Sequence, residues 1–565
     1  VTTGTENVFI GGLAGDALSI GKHNVAIGYE SLSSADAGDF SVAIGHSALR
    51  EQNGASAGDN FYNTAVGHNA GKNVTTGTQN TLVGGLAGDA LTQGSNNTAL
   101  GYGALGTEDT SSYAVAIGHN ALATQNAPSD TYNVAVGKSA GYSVTTGAYN
   151  TIMGGLAGDA LTTGEKNIAI GHNALSTEDT GSRSVAVGYG TLRYQNNDGN
   201  NYNTAIGFDA GNLITTGTQN TLMGGLAGDA LTTGSNNVAV GYQALSTEDT
   251  QGLNVAVGSY ALLNLNAGSN AYNVAVGYNS GQAMTTGVQN TIVGAMAGDA
   301  LTEGKNNVAI GYSALTAETH GERNVAIGIF ALGNQVNNSD VDTYNVAVGY
   351  NAGYAVTTGV QNTLIGGLAG DALTTGERNV ALGTYALSTE DTGSRNTAIG
   401  WYSLLMQNYD GLAYNTAVGY NSGGSITTGI VNTIVGGLAA DALTTGSENV
   451  ALGYKALSSE DTGSHNIAIG SGALENLNYD GSGNNTAVGH NSGNDLTTGI
   501  QNTLIGALAG DALTTGQYNV ALGAYALSSE DTGSASVAIG REALENQNYD
   551  GSAYNTAVGY QSGKY

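Results

Sequence analysis

The sequence predicts an all-β, fibrous protein: a parallel β-solenoid of about 32 short coils. A unit of about seventy residues occurs eight times, and each unit holds four copies of Asn-(Val/Thr)-Ala-(Val/Ile/Leu)-Gly, 17 to 22 residues apart. Such a fixed period is typical of solenoids, in which each repeat buries its apolar face against its neighbours. Short β-branched segments that end in glycine favour strands over amphipathic helices.

Each unit begins with an apolar residue followed by Thr-Thr-Gly, and we place the repeat boundaries at that apolar residue. We interpret the chain as one continuous solenoid domain made of eight repeats: 1–73, 74–143, 144–213, 214–283, 284–355, 356–425, 426–495 and 496–565. Because both ends fall on repeat boundaries and no capping sequence is visible, we expect an internal segment of a longer chain.

Composition and charge exclude several function classes. The chain has 14 Lys and Arg against 44 Asp and Glu, a formal net charge of −30, which opposes binding to nucleic acid and to anionic lipid. It contains no cysteine, so disulfides and thiolate metal sites are excluded. No run of about 18 apolar residues occurs, so we expect no membrane insertion by this segment.

The strand copies indicate how one coil is built. In residues 24–28, Val25 and Ile27 share one strand face, while Asn24 and Ala26 share the other. We predict that the β-branched face lines the inside of the coil. The small alanine face would then pack against another chain, which predicts an oligomer.

The asparagine that opens most copies has two compatible interpretations. Asparagines in one phase can stack as an amide ladder between coils. They can also serve as turn residues that tolerate unusual backbone angles.

The repeat resembles the head repeat of trimeric autotransporter adhesins, the YadA-like heads, over the whole chain. Closely similar Asn-Thr-Ala-(Ile/Val)-Gly-Tyr-x-(Ala/Ser)-Gly repeats with Thr-Thr-Gly occur in phage tail fibres. The resemblance implies a left-handed β-roll and a homotrimer. Two features depart from the adhesin pattern: the coils have 17 to 22 residues instead of about 14, and the sequence shows no stalk or anchor.

Matches to catalytic motifs are variants of structural positions. Residues 137–141 fit Gly-x-Ser-x-Gly, but residues 67–71 at the same phase read Gly-His-Asn-Ala-Gly. Residues 101–106 fit Gly-x-Gly-x-x-Gly, and residues 241–246 at the same phase do not. Paired acids such as Glu178 and Asp179 recur along the chain instead of marking one groove. We therefore predict a protein that is not an enzyme and has no resident cofactor.

An aspartate recurs in the element Gly-(Gly/Ala)-(Leu/Met)-Ala-(Gly/Ala)-Asp-Ala-Leu of every repeat. It is similar to the calcium-binding Gly-Gly-x-Gly-x-Asp nonapeptide of β-roll toxins, but its glycine falls one place late. Copies four coils apart lie about 19 Å from one another, too far to share an ion. We interpret the aspartate as a corner residue; the alternative is one calcium held by three copies across a trimer axis. These aspartates are Asp16, Asp89, Asp159, Asp229, Asp299, Asp371, Asp441 and Asp511.

Length variation is confined to one loop per repeat, and such surface loops carry binding. A tyrosine precedes the next strand in seven of these loops, where it could stack on a sugar ring, contact a protein, or cover the base of the loop. These candidate recognition residues are Tyr62, Tyr132, Tyr202, Tyr272, Tyr344, Tyr414 and Tyr554.

These features together predict an extracellular structural and adhesive fibre. The first interpretation is a bacterial surface adhesin or appendage that displays repeated binding loops. The alternative is the shaft of a phage tail fibre that mediates host attachment, which would place the chain on a virion. In both cases the expected partners are further copies of the chain and a host-surface glycan or protein.

Overall fold

A computed structural model describes residues 2–54, 56 and 58–565, so Val1, the predicted start of the first repeat, lies outside the described residues. The described residues form 32 strands of three residues each and no helix. Every pair of neighbouring strands described is parallel, for example Val238 beside Val255. The predicted all-β parallel solenoid with 32 turns is confirmed. By its internal contacts the chain divides into two compact units, Val1–Thr286 and Gly287–Tyr565.

The first unit contains sixteen turns, and each strand pairs in parallel with the next one along the chain. Its strands are β1 (Val8–Ile10), β2 (Val25–Ile27), β3 (Val42–Ile44), β4 (Thr64–Val66), β5 (Thr81–Val83), β6 (Thr98–Leu100), β7 (Val115–Ile117), β8 (Val134–Val136), β9 (Thr151–Met153), β10 (Ile168–Ile170), β11 (Val185–Val187), β12 (Thr204–Ile206), β13 (Thr221–Met223), β14 (Val238–Val240), β15 (Val255–Val257) and β16 (Val274–Val276).

The second unit repeats this arrangement with sixteen further turns. Its strands are β17 (Thr291–Val293), β18 (Val308–Ile310), β19 (Val325–Ile327), β20 (Val346–Val348), β21 (Thr363–Ile365), β22 (Val380–Leu382), β23 (Thr397–Ile399), β24 (Thr416–Val418), β25 (Thr433–Val435), β26 (Val450–Leu452), β27 (Ile467–Ile469), β28 (Thr486–Val488), β29 (Thr503–Ile505), β30 (Val520–Leu522), β31 (Val537–Ile539) and β32 (Thr556–Val558).

The predicted orientation of the strand faces is wrong. Ala26, the middle residue of β2, is completely buried, whereas Val25 and Ile27 are only partly buried. The middle residue is buried in every strand from β2 to β32, so the alanine face lines the inside and the β-branched face points outward. The cause is the buried Asn24, which lies on the same strand face as Ala26 and must point inward to reach its hydrogen-bond partners.

The asparagines form the predicted ladder, with the backbone of the next coil as their main partner. The Asn150 amide Nδ2 donates to the Gly164 carbonyl at 2.9 Å, and the Asn167 backbone N–H donates to Asn150 Oδ1 at 2.9 Å. Asn150 in turn donates its own backbone N–H to Asn133 Oδ1 at 2.8 Å. Each side chain therefore satisfies one backbone donor and one backbone acceptor inside the solenoid, where water is excluded.

Every fourth coil holds a larger strand residue, and glycines make room for it. Leu82 occupies the inward position of β5 and is completely buried. A Cβ atom at Gly71 would lie 2.6 Å from Leu82 Cδ1, and one at Gly88 would lie 2.9 Å from Cδ2. The same pairing of leucine or isoleucine with glycine recurs around Ile152 and Leu222. Close packing of large against small residues thus explains why these glycines recur with the same four-coil period as the large residue.

Replacing one ladder residue should destabilise the solenoid. Asn150→Ala leaves the Asn167 N–H and the Gly164 carbonyl buried without this partner, at a cost of about 1–3 kcal/mol for each group. We expect a lower thermal midpoint by circular dichroism and faster amide hydrogen exchange across residues 150–167. Thr163→Ala, at an exposed position of the same coil, is the control. Equal midpoints for the two variants would contradict a stabilising role for the ladder.

Candidate functional site

The first and third residues of each strand form an outward-pointing surface, which we call the outer sheet face. All of these positions hold Val, Thr, Ile, Leu or Met, and none of them is charged in the described strands. Many are substantially exposed; Met223 and Leu382, for example, each retain 42% of their accessible surface. A sheet face that contacts only water usually carries polar side chains. Because extended uncharged and mostly apolar faces of this kind often take part in binding, the outer sheet face is a candidate interaction surface.

A second column runs beside this face and consists of the residues two positions before each strand, which we call the pre-strand column. All seven predicted recognition tyrosines belong to it, and each has a left-handed backbone, as in Tyr132 with φ of 53°. Their side chains range from 45% exposed at Tyr414 to 76% exposed at Tyr554. Within each unit these tyrosines stand at least four coils apart, so the fold does not bring them together.

Neighbours in the pre-strand column cover the faces of several of these rings. Tyr132 stacks between Tyr113 and Tyr149, with ring centroids 5.0 and 5.6 Å away. Tyr62 stacks on Phe40 at 5.1 Å. Stacking along the column leaves ring edges and hydroxyl groups as the parts that a ligand can reach.

Arginines one coil away cover three more tyrosines of this column. The guanidinium carbons of the arginines lie 5.6, 5.5 and 5.3 Å from the ring centroids, in cation–π geometry. The pairs are Arg183 with Tyr202, Arg323 with Tyr344, and Arg395 with Tyr414. These contacts restrict the movement of the tyrosine rings. They also place a positive charge beside each ring in a protein whose net charge is strongly negative.

The repeated aspartates stand at corners, one per repeat, and each is part of the solenoid wall. Asp299 accepts a hydrogen bond from the Thr316 hydroxyl of the next coil. In Asp159, Asp229, Asp371 and Asp511, Oδ1 is shielded from solvent and has no hydrogen-bond partner. Burial raises the pKa of Asp229 to about 6, and it raises the pKa of Asp89, Asp159, Asp371, Asp441 and Asp511 as well.

Within one chain, each of these corners carries a single one of the repeated aspartates. Among the described residues, no three His, Asp or Glu side chains converge in a way that could hold a metal ion. Calcium shared between three chains is not tested by a single chain and stays a hypothesis. The corner role of the aspartate is consistent with the Asp299 contact.

A column of buried glutamates includes Glu178, which the sequence pattern marked only as half of a recurring pair of acids and not as a buried residue. Each member receives a hydrogen bond from the backbone N–H three residues later, as Gly181 donates to Glu178 Oε1 at 2.7 Å. A glutamine of the next coil usually donates as well, as Gln195 Nε2 does to Glu178 Oε2 at 2.9 Å. All are completely buried: Glu108, Glu178, Glu248, Glu318, Glu390, Glu460 and Glu530. The available signal was a Glu followed by a polar Gln 17 residues later.

Comparison with known proteins does not assign the chain to a family. No protein-family model matches it, and no curated protein shows significant sequence similarity to it. In the described part of the chain we find no helix with the length and apolar character needed to cross a lipid bilayer.

Removing one corner carboxylate should change the pH dependence of stability. Burial raises the pKa of Asp229 from 3.8 to about 6, so the folded chain holds this proton more tightly than the unfolded chain. This contribution to stability is present at low pH and is lost as pH rises from 3.8 to about 6. In Asp229→Asn, we expect the thermal midpoint to fall less than in the wild type across this window.

Glu303→Gln, which removes an exposed carboxylate, is the matched control for Asp229→Asn. Thermal midpoints between pH 3.5 and 7.5 provide the measurement. Superimposable pH profiles for the wild type and Asp229→Asn would show that Asp229 does not titrate in this range.

Proposed function

We propose that the chain is the structural and adhesive part of an extracellular fibre, in which three copies associate through their outer sheet faces. The observation that carries the proposal is the uncharged outer sheet face, which continues through all sixteen strands of each unit. Burying such apolar surface is the main favourable term in protein association. The partner is a second and a third copy of the same chain.

The size of the outer sheet face supports this proposal. A stable interface uses roughly 20–30 residues from each partner. One unit offers 32 outward positions, because each of its sixteen strands contributes two. The pre-strand column beside the face carries several tyrosines and arginines, and both residue types are enriched at protein interfaces. Three copies, and not two, are favoured by the resemblance of the repeats to YadA-like heads.

Charges placed on the outer sheet face should prevent association. Met223→Glu combined with Leu382→Glu puts one carboxylate into the face of each unit, where both side chains are 42% exposed. Burying an unpaired carboxylate against an apolar surface is strongly unfavourable. We expect light scattering to report a trimer for the wild-type chain and a monomer for this variant.

The control for association carries the same added charge elsewhere. Thr163→Glu with Thr375→Glu alters one exposed corner residue in each unit and should leave the trimer intact. Circular dichroism should show an unchanged fold in both double variants. A monomeric wild-type chain would refute self-association, and a stable dimer would refute the number of copies.

The adhesive role belongs to the loops and their tyrosines, which we propose bind a host-surface glycan or protein without catalysis. Five of the seven rings contact a neighbouring ring or guanidinium, as Tyr202 does with Arg183, and all seven side chains are exposed. Binding at one such position is weak, whereas repetition along the chain raises the avidity by about 10² to 10⁴ where geometry permits. The same adhesive role suits either a bacterial surface adhesin or the shaft of a phage tail fibre.

Removing several loop tyrosines should lower binding more than removing one. Asparagine tolerates the left-handed backbone at these positions, so Tyr202→Asn, Tyr272→Asn and Tyr344→Asn remove the rings with little strain. We expect binding to glycan arrays or host cells to fall more than tenfold in the triple variant, because small losses multiply. Tyr242→Ser, outside the pre-strand column, is the control. Unchanged binding in the triple variant would contradict recognition by these residues.

A further inference from the structure

The buried glutamates differ between repeats in the donors that they receive. Glu108 in the second repeat has one donor for each oxygen: the Ser111 N–H at 2.9 Å and Gln125 Nε2 at 3.0 Å. In the fifth repeat, Glu318 Oε2 accepts hydrogen bonds from Gln335 Nε2 at 2.8 Å and from Asn337 Nδ2 at 2.9 Å. A buried carboxylate remains ionised only when such donors replace water.

The fourth repeat lacks the glutamine. Leu265 stands in its place, one coil after Glu248. Glu248 is completely buried, and its Oε2 has no hydrogen-bond partner. The Gln251 backbone N–H donates to Glu248 Oε1 at the long distance of 3.3 Å. With its side-chain oxygen and nitrogen exchanged, the Gln251 amide also donates to Oε1 and not to Oε2.

The seventh repeat shows that the leucine alone does not leave an oxygen unpaired. Leu477 replaces the glutamine there too, but the Tyr479 N–H donates to Glu460 Oε2 at 3.3 Å. Among the seven described members of the glutamate column, Glu248 is therefore the one whose Oε2 lacks a donor.

We propose that Glu248 makes the stability of the fourth repeat depend on pH. The coils of this repeat stay closed while the Glu248 carboxyl is protonated and open more readily once it ionises. A protonated carboxyl needs fewer donors than a carboxylate, so the site suits the neutral form. Ionisation would bury a charge that Leu265 cannot stabilise. The proposal concerns the stability of one repeat and goes beyond the adhesive function.

The surroundings of Glu248 support this proposal. Leu231 and Leu265 occupy the same column position in the coils before and after it, and neither is titratable. Asp249 is the charged group that acts on Glu248, and it disfavours a second negative charge. Burial is the main cause that raises the pKa of Glu248 to about 7; the backbone amides of Gln251, Ala267 and Asp249 oppose this only in part, and none of them makes a hydrogen bond to Oε2.

The direction of the pH effect follows from proton binding. An opened coil exposes Glu248 to water, where its pKa returns to the ordinary 4.5, whereas the closed coil holds the proton up to about pH 7. The closed state therefore loses stability as pH rises from 4.5 to about 7 and changes little above that. Each unit of difference in pKa corresponds to a tenfold change in the opening equilibrium.

Hydrogen exchange of the intact chain measures this opening directly. Protection factors, corrected for the intrinsic pH dependence of exchange, are compared at pH 5 and pH 7.5 for residues 245–266. We expect protection there to fall more than tenfold at the higher pH. Residues 105–126, which carry Glu108 and Gln125, serve as the internal reference and should change much less.

Three variants distinguish opening caused by ionisation of Glu248 from opening of a repeat that is unstable for another reason. Leu265→Gln restores the side-chain donor that the second, third, fifth and eighth repeats have, and it should remove the extra pH dependence, as should Glu248→Gln. Gln125→Leu should transfer it to the second repeat, since Glu108 then loses its Oε2 donor. Equal pH dependence in the fourth and second repeats of the wild type, or its persistence in Glu248→Gln, would overturn the proposal.

Discussion

The bond between an inward asparagine and the backbone of the next coil is the constraint on which the rest of this structure depends. The Asn150 side chain satisfies a buried carbonyl and a buried N–H, and the same arrangement recurs along both units. Because strand side chains alternate, an inward asparagine also turns the middle residue of the strand inward. The remaining two residues must then point outward, whatever their hydrophobicity.

This geometry explains why the sequence predicted the number and position of the coils correctly but not which strand face points inward. The spacing of glycine and asparagine revealed the number of turns and the strand positions, since both depend on local backbone chemistry. The two faces of residues 25–27 are both apolar, so a rule based on burial of the larger side chains selected the wrong one. The buried polar residue was the better guide, because Asn24 requires hydrogen-bond partners inside the protein.

The candidate surfaces could be predicted to different degrees. The loop tyrosines were located by sequence because length variation marks a surface loop, but their ring contacts depend on residues 17 to 22 positions away, such as Arg183 beside Tyr202. The buried glutamates were missed, because acidic residues in a Thr-Glu-Asp-Thr segment resemble a solvated corner. Their role becomes visible only when the coil register places Gln195 beside Glu178.

The glycine-rich aspartate element shows how a motif can follow from packing alone. A Cβ atom at the last glycine of the element would collide with the inward leucine or isoleucine, as at Gly88 beside Leu82, and one at the first, Gly84, would lie 2.4 Å from the Gly101 carbonyl oxygen. Once those glycines are required by sterics, their similarity to a calcium-binding nonapeptide needs no ion to explain it. The aspartate that follows is then a corner residue partly shielded from water, and its raised pKa is a consequence of that packing.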